Sequence, residues 1–306
     1  MSEFYPEGEL ISSEDNRRAI SSEERLRECI LSGKILEAPC IVCDSRHNLI
    51  VDFGFIKGII PRTEGAIGID DGTTRDIALI SRVNKAVCFK ITAFANNECG
   101  KKIAILSRKM AQQECINRYI STLVPGDIIN AKVTHLEQFG CFVDIGCGIP
   151  SLIPIDSISV SRINHPSNRM TVGQNIKAIV NSLDNGKISL SHKELLGTWE
   201  ENASFFKAGE TVTGYIRSIE NYGIFVELTP NLAGLAELKE NVYVNQHASV
   251  FIKAIIPEKM KVKLIIVDTF DSGYLPNGFK YFIENGHLDS WVYSTPDSDK
   301  IIKTVF

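Results

Sequence analysis

Two aromatic pairs are the residues best placed to do chemistry in this 306-residue chain. They are Phe139 and Phe142 in QFGCFVD, and Tyr222 and Phe225 in NYGIFVE. Rings held at a surface can stack nucleobases, at roughly 1 to 3 kcal/mol for each base stacked. The pairs belong to a longer repeat: THLEQFGCFVDIGCGIPSL, Thr134 to Leu152, recurs as RSIENYGIFVELTPNLAGL, Arg217 to Leu235, at a shift of 83 positions (222 minus 139). The shift lays Gly223 on Gly140, Val226 on Val143 and Glu227 on Asp144.

To act together, both rings of a pair must reach one surface. Strand alternation alone puts residues three apart on opposite faces, and the glycine between them is where a β-bulge can reset the register. A looser third copy, DSRHNLIVDFGFIKGIIPR, runs from Asp44 to Arg62 at a shift of 92 (144 minus 52). It matches Asp52 to Asp144 and Val51 to Val143, but has His47 and Ile50 where Phe139 and Phe142 stand, so it keeps the frame without the rings. The endings also recur, as ILSRKMA (Ile105 to Ala111) and SLSHKEL (Ser189 to Leu195). A period of about eighty residues is too long for a solenoid unit and suits tandem small domains.

The elements follow from composition and punctuation. Residues 1–31 form a lead-in in which Ser21 or Ser22 caps a helix beginning with Glu23 and Glu24. A degenerate first domain spans 32–110, with strands expected at 38–44, 49–53, 86–93 and 102–106 and a loop-like insert at 63–75. Ile116, Tyr119, Ile120 and Leu123 mark a helical bridge over 110–123 that stops before Pro125 and Gly126. The second domain, 124–195, carries strands at 128–136, 141–145, 151–155, 175–183 and 187–190, with DNGK (Asp184 to Lys187) as a hairpin turn. Five short strands and a Gly-rich corner fit a small closed barrel. A second bridge, 195–206, leads to a third domain of the same plan at 207–270. The extension 271–306 matches no copy, and its aromatics suit packing on a domain.

Composition limits the function classes. The net charge of −4 offers no general attraction for phosphates, so nucleic-acid binding must come from local sites. No apolar run is long enough for a membrane helix, and the start MSEFYPEGEL lacks the basic residues of a signal peptide. A cytoplasmic protein with no membrane partner is expected, its eight cysteines reduced. Cys40 and Cys43 make one Cys-x-x-Cys, read as two small apolar strand residues because no second pair lies at a metal-binding distance. The six histidines are scattered, and no phosphate-binding or Rossmann glycine pattern occurs. No catalytic residue, metal or cofactor is expected, and the chain is read as not an enzyme.

The second domain resembles the S-one RNA-binding domain of the ribosomal protein S-one family. The resemblance lies in Gly126-Asp127, Phe139 to Asp144, Ser151-Leu152, Val172 to Gln174 and Leu190 to Lys193, in that order. The third domain shares it through Ala208 to Thr211, Tyr222 to Glu227 and Gly234 to Leu238, but lacks the Leu-Ser-x-Lys ending. The whole chain looks similar to multi-domain S-one-like proteins of bacteria. The resemblance implies an all-β architecture of three tandem five-stranded oligonucleotide-binding (OB) barrels joined by short helical bridges. It further implies that Phe139, Phe142, Tyr222 and Phe225 stack bases while nearby basic side chains hold phosphates. The candidates are Lys132, Arg162, His165, Arg169 and Lys177 on the second domain, and Arg217 and Lys253 on the third, where Tyr215 aligns with Lys132. Arg82 in SRVNK echoes Arg162 in SRINH. Where the family carries a histidine after the Gly-Leu corner, this chain has Pro61, Pro154 and Glu237, and Glu237 would repel a phosphate.

Each of these residues also has a plainer reading: loop charges solvated or paired with a carboxylate, and rings packed in a core with Val133, Val143, Ile145 and Ile179. The expected function is single-stranded RNA binding in translation or RNA handling, with single-stranded RNA and the ribosome or its proteins as partners. The rival is a scaffold that docks on the ribosome or another RNA machine, with the ringless first domain as its docking element.

Overall fold

A computed structural model of the chain describes residues 4–97, 99–184, 186–271 and 278–306. It opens with two capped helices, α1 (Glu14–Ala19) and α2 (Glu23–Ser32). The hydroxyls of Ser13 and Ser22 accept from backbone N–H groups three residues on, and acids fill both first turns, complementing the helix dipole. The sequence announced only the second of these helices.

The first barrel comprises β1 (Leu36–Cys43), β2 (Leu49–Asp52), β3 (Lys57–Ile60), β4 (Ala86–Asn96) and β5 (Lys102–Ser107), closed in the order β1-β2-β3-β5-β4. Strand β3 was not anticipated: KGII is four residues long, too short for a periodic signal, and is fixed by pairing with β2 and, in parallel, with β5. Helix α3 (Ile77–Ile80) interrupts the insert. Helix α4 (Arg108–Arg118) follows β5 without a break, because Ser107 ends the strand and caps the helix. It therefore starts before the expected bridge and buries Arg108, Ala111, Gln112 and Cys115; of the anticipated stripe, Ile120 and Leu123 are buried in the turn beyond its end, while Ile116 and Tyr119 are half-buried.

The second barrel comprises β6 (Ile128–Glu137), β7 (Gly140–Asp144), β8 (Pro150–Pro154), β9 (Asn175–Asp184) and β10 (Lys187–Ser191). Asp184 pairs with Lys187 across the expected hairpin, whose Asn185 lies outside the described residues. Helix α5 (Trp199–Ala203) begins with a capping box between Thr198 and Glu201. The third barrel comprises β11 (Thr211–Glu220), β12 (Gly223–Thr229), β13 (Leu232–Ala236), β14 (His247–Ile256) and β15 (Lys261–Phe270). All three barrels close with the same strand connectivity, so the all-β expectation of three five-stranded OB barrels with helical bridges holds. A small hairpin of β16 (Ser290–Val292) and β17 (Lys303–Val305) ends the chain.

The chain divides into two compact units, residues up to 123 with 144–150, and residues 124–143 with 151–306. In the first, Leu36, Leu49, Val51, Ile60, Phe89 and Leu106 fill the barrel, with Leu26 of α2 packed against it. Cys40 is buried and Cys43 half-buried, and both thiols are pushed up by burial, as suits apolar strand residues. In the second unit, Ile216, Val226, Val250 and Leu264 fill the third barrel, joined by Trp199 of α5 and Trp291 and Tyr293 of the C-terminal extension. The extension thus packs on the barrels: the Tyr293 hydroxyl donates to the Asn231 carbonyl at 2.5 Å, and Phe282 N donates to Leu195 O at 2.9 Å. Among the described residues no helix is long and apolar enough to cross a membrane.

Candidate nucleic-acid interface

The two ring pairs adopt one geometry. Phe139 and Phe142 have centroids 5.9 Å apart with planes at 89°, and Tyr222 and Phe225 have centroids 6.1 Å apart with planes at 90°. The outer rings are open to solvent, Phe139 by 56% and Tyr222 by 66%, while Phe142 and Phe225 are half-buried. Core packing therefore does not account for the outer rings. Each edge-to-face pair leaves ring surface open to a flat, apolar partner.

The glycine works differently from the expectation. In the third barrel Gly223 pairs in regular register with Glu220, so Tyr222 sits in a two-residue turn rather than on the strand, which frees it from alternation. The register shift lies on the opposite strand, between Ile216 and Ser218. A side chain at Gly223 would meet the Ala236 carbonyl at 2.6 Å, and one at Gly140 the Ile153 carbonyl at 2.5 Å. These glycines let the turn press against the next strand, and no bulge forms at Gly223.

Around Phe142 the structure adds a residue that sequence reading missed. His135 is exposed, with its ring 6.4 Å from that of Phe142, and its Nε2 lies 2.6 Å from a Glu137 carboxylate oxygen. The strand period gave no signal for it: β6 buries Ile129, Ala131 and Val133, which would turn residue 135 inward, yet His135 is exposed, while its neighbour Thr134 donates through Oγ1 to Phe142 O at 3.1 Å. Around Tyr222 and Phe225 a groove of about 550 Å³ is also lined by Leu235, Glu237, Lys253, Lys261 and Lys263.

The basic candidates separate sharply. Arg162 and Lys253 are exposed, and Lys132 is half-buried. His165 spends Nδ1 on its own turn, accepting from Ser167 N at 3.1 Å. Lys177 is half-covered by the extension: its backbone N donates to the Tyr281 hydroxyl at 3.0 Å and its Nζ lies 3.4 Å from Asn285 Oδ1. Arg169 and Arg217, expected to meet RNA, are instead interior. Arg217 donates to Glu227 through Nε at 2.7 Å and Nη2 at 3.0 Å, and lies over the Tyr215 ring at 4.2 Å. Arg169, only 1% exposed, donates through Nη2 to the same carboxylate and through Nε to Ser159 Oγ at 3.3 Å. The physical reason is Glu227 itself, a buried carboxylate that needs cationic donors.

In the first unit, Asp144, the counterpart of Glu227, accepts from the backbone N–H groups of Glu7, Gly146 and Gly148 at 2.7, 2.8 and 3.0 Å. Burial and the Glu7 charge push its carboxyl up to about 6. Burial works against Glu7 as well, but Arg108, with Nε 2.7 Å from Oε1, and Arg82, with Nη1 3.0 Å from Oε2, hold it down at about 2. Arg82 is thus paired with a carboxylate, the plainer of its two readings. The equivalent of the ring site in the first barrel is a polar loop, in which Asp44 Oδ1 accepts from Arg46 N and Asn48 N and His47 lies 3.6 Å from Asp76. Among the described residues no group of three or more His, Cys, Asp or Glu could hold a metal ion.

A model of the S1 RNA binding domain matches residues 123–193, the segment of the second barrel. Along 98% of its length the chain is 28% identical to small ribosomal subunit protein bS1 of Staphylococcus aureus (strain COL), of which it covers 80%. It is 25% identical to the bS1 protein of Rhizobium meliloti (strain 1021), over 87% of this chain and 48% of that one. A solved multidomain protein with nucleic acid binding domains from Streptococcus pneumoniae TIGR4 aligns with 77% of this chain and 73% of its own, at 12% identity and a TM-score of 0.26, too low to bear on the argument. The second barrel thus matches the S1 RNA binding domain, and the chain along nearly its whole length is homologous to bacterial ribosomal bS1 proteins.

Proposed function

We propose that the chain binds single-stranded RNA through the ring pairs of its second and third barrels, acting without catalysis in translation, in the cytoplasm and in association with the ribosome. The modules are 124–195 and 207–270 for RNA, with 32–110 as a barrel that lacks the ring pair, 1–31 as its lead-in and 271–306 as a covering extension. The observation that carries this reading is the repeated perpendicular ring pair with an exposed outer ring. Stacking needs bases free of a duplex, which favours single strands. With a net charge of −4 the chain must rely on stacking, helped locally by Arg162, Lys132 and Lys253. Lys177, partly covered by the extension, and His165, held in its own turn, are secondary contributors, while Arg169 and Arg217 hold Glu227 in the interior.

The test is binding of a fluorescent single-stranded RNA of about a dozen nucleotides, within the span such barrels cover. The intact chain is compared with a Phe142→Ala, Phe225→Ala double variant whose folding is checked by circular dichroism. Losing one stacked base in each barrel should weaken binding by roughly 2 to 6 kcal/mol. Binding that is absent, or equal in the folded variant, would replace this reading by a protein-docking scaffold.

A further inference from the structure

We infer that the groove of the third barrel selects guanine, with the Glu237 carboxylate taking the Watson–Crick edge of a base stacked on Tyr222 or Phe225; this rests on the RNA reading above. Glu237 follows β13 directly, is exposed, and is the one carboxylate among the described residues lining that groove. Lys253, Lys261 and Lys263 line it too, and supply the cations a phosphate backbone needs. A carboxylate in a groove for a polyanion opposes binding unless it meets hydrogen-bond donors, and RNA offers these on its 2′-hydroxyls and its base edges, of which only the edges differ from one nucleotide to the next.

The four bases present different edges to a two-oxygen acceptor. Guanine sets N1–H beside N2–H, two parallel donors matching the two carboxylate oxygens. Adenine and cytosine each place an amino donor beside a ring-nitrogen acceptor, so the second oxygen meets a lone pair. Uracil flanks its single N3–H with two carbonyls. Only guanine makes a bidentate, charge-assisted pair. The corresponding residue of the second barrel is Pro154, which offers no side-chain acceptor, so the two barrels divide the work: one stacks without choice, the other chooses.

The experiment compares a labelled oligouridine of about twelve nucleotides with the same oligomer carrying one central guanosine or one adenosine. Each is titrated into the full chain with Phe139→Ala and Phe142→Ala, so that only the third barrel offers its rings, and into the same protein with Glu237→Ala added. The parent should prefer the guanosine oligomer by roughly five- to hundredfold, the range of a well-made bidentate base contact. Glu237→Ala should abolish that preference and, by removing a negative charge, tighten oligouridine. Equal affinities in the parent, or a preference that survives Glu237→Ala, overturn the inference. If oligouridine binding is then still lost on adding Phe225→Ala, the RNA reading stands without it. If no oligomer binds the parent or the unaltered chain, both fall.

Discussion

The first barrel and the third share a strand order, a buried aliphatic core and a repeat frame, yet of the two only the third places a ring pair at the turn of the repeat. Where the third barrel turns through Tyr222 and follows with Phe225, the first places His47 in a loop wrapped around Asp44 and follows with Ile50. The contrast extends to the acid of the repeat. Asp52 of the first barrel is exposed and accepts from Gly54 N at 2.8 Å, whereas Glu227 is buried between two guanidinium groups. The frame is set by inward residues that all copies keep, and function by a handful of turn and edge residues that they do not.

The largest effect that probes this contrast is on stability. Glu227→Ala leaves Arg169 and Arg217 buried without their carboxylate and should cost about 3 to 5 kcal/mol. The chain has two tryptophans, Trp199 and Trp291, both packed in the core of the third barrel, so tryptophan fluorescence in urea reports that barrel directly. Asp52→Ala, at the equivalent place in the first barrel, should stay within about 0.5 kcal/mol, as followed by calorimetry. Equal losses at the two positions would erase the distinction.

A smaller effect separates the units by pH. In the first, Glu37 Oε2 accepts from the N–H groups of Gly8, Leu10 and Ile11, each at 3.0 Å, while Oε1 is buried without a partner. Burial, and then the Glu7 charge, push the Glu37 carboxyl up to about 7, and Asp144 stands at about 6. Both groups hold a proton more tightly folded than unfolded, so the unit gains stability as pH falls from 8 towards 5. Glu7, held near 2, keeps its contribution throughout that window and loses it only in stronger acid. The gain between pH 8 and pH 5.5 should be on the order of 3 kcal/mol. Calorimetry at pH 8 and pH 5.5 should show the first unit's transition rising on acidification, and rising less in Glu37→Gln; an unchanged shift would assign the effect elsewhere.

The rings, the repeat and nearly every strand of the first two barrels were legible in the sequence because they rest on local pattern: alternation, turn residues and spacing. What escaped depends on partners far along the chain. Nothing near Arg169 announces that it is interior, since its carboxylate lies 58 residues away. Lys177 reads as a free cation until Tyr281, 104 residues on, closes over its backbone. Nothing local in LSHK marks His192 as interior, but it is fully buried, its Nδ1 3.0 Å from Ile158 O and its ring 4.3 Å from Phe279, and burial lowers its pKa to about 4, leaving it neutral. The exposed outer rings were placed correctly for a reason other than the expected bulge: they stand in a turn that glycine allows to lie close to its neighbour.

The most direct test of the central claim is photo-crosslinking of the intact chain to single-stranded RNA containing 4-thiouridine, with adducts located by mass spectrometry. The ring-pair account predicts adducts in the peptides holding Phe139 to Phe142 and Tyr222 to Phe225, competed by unlabelled single strands and absent from Asp44 to Arg62. Adducts confined to the first barrel, or spread over all three alike, would contradict it.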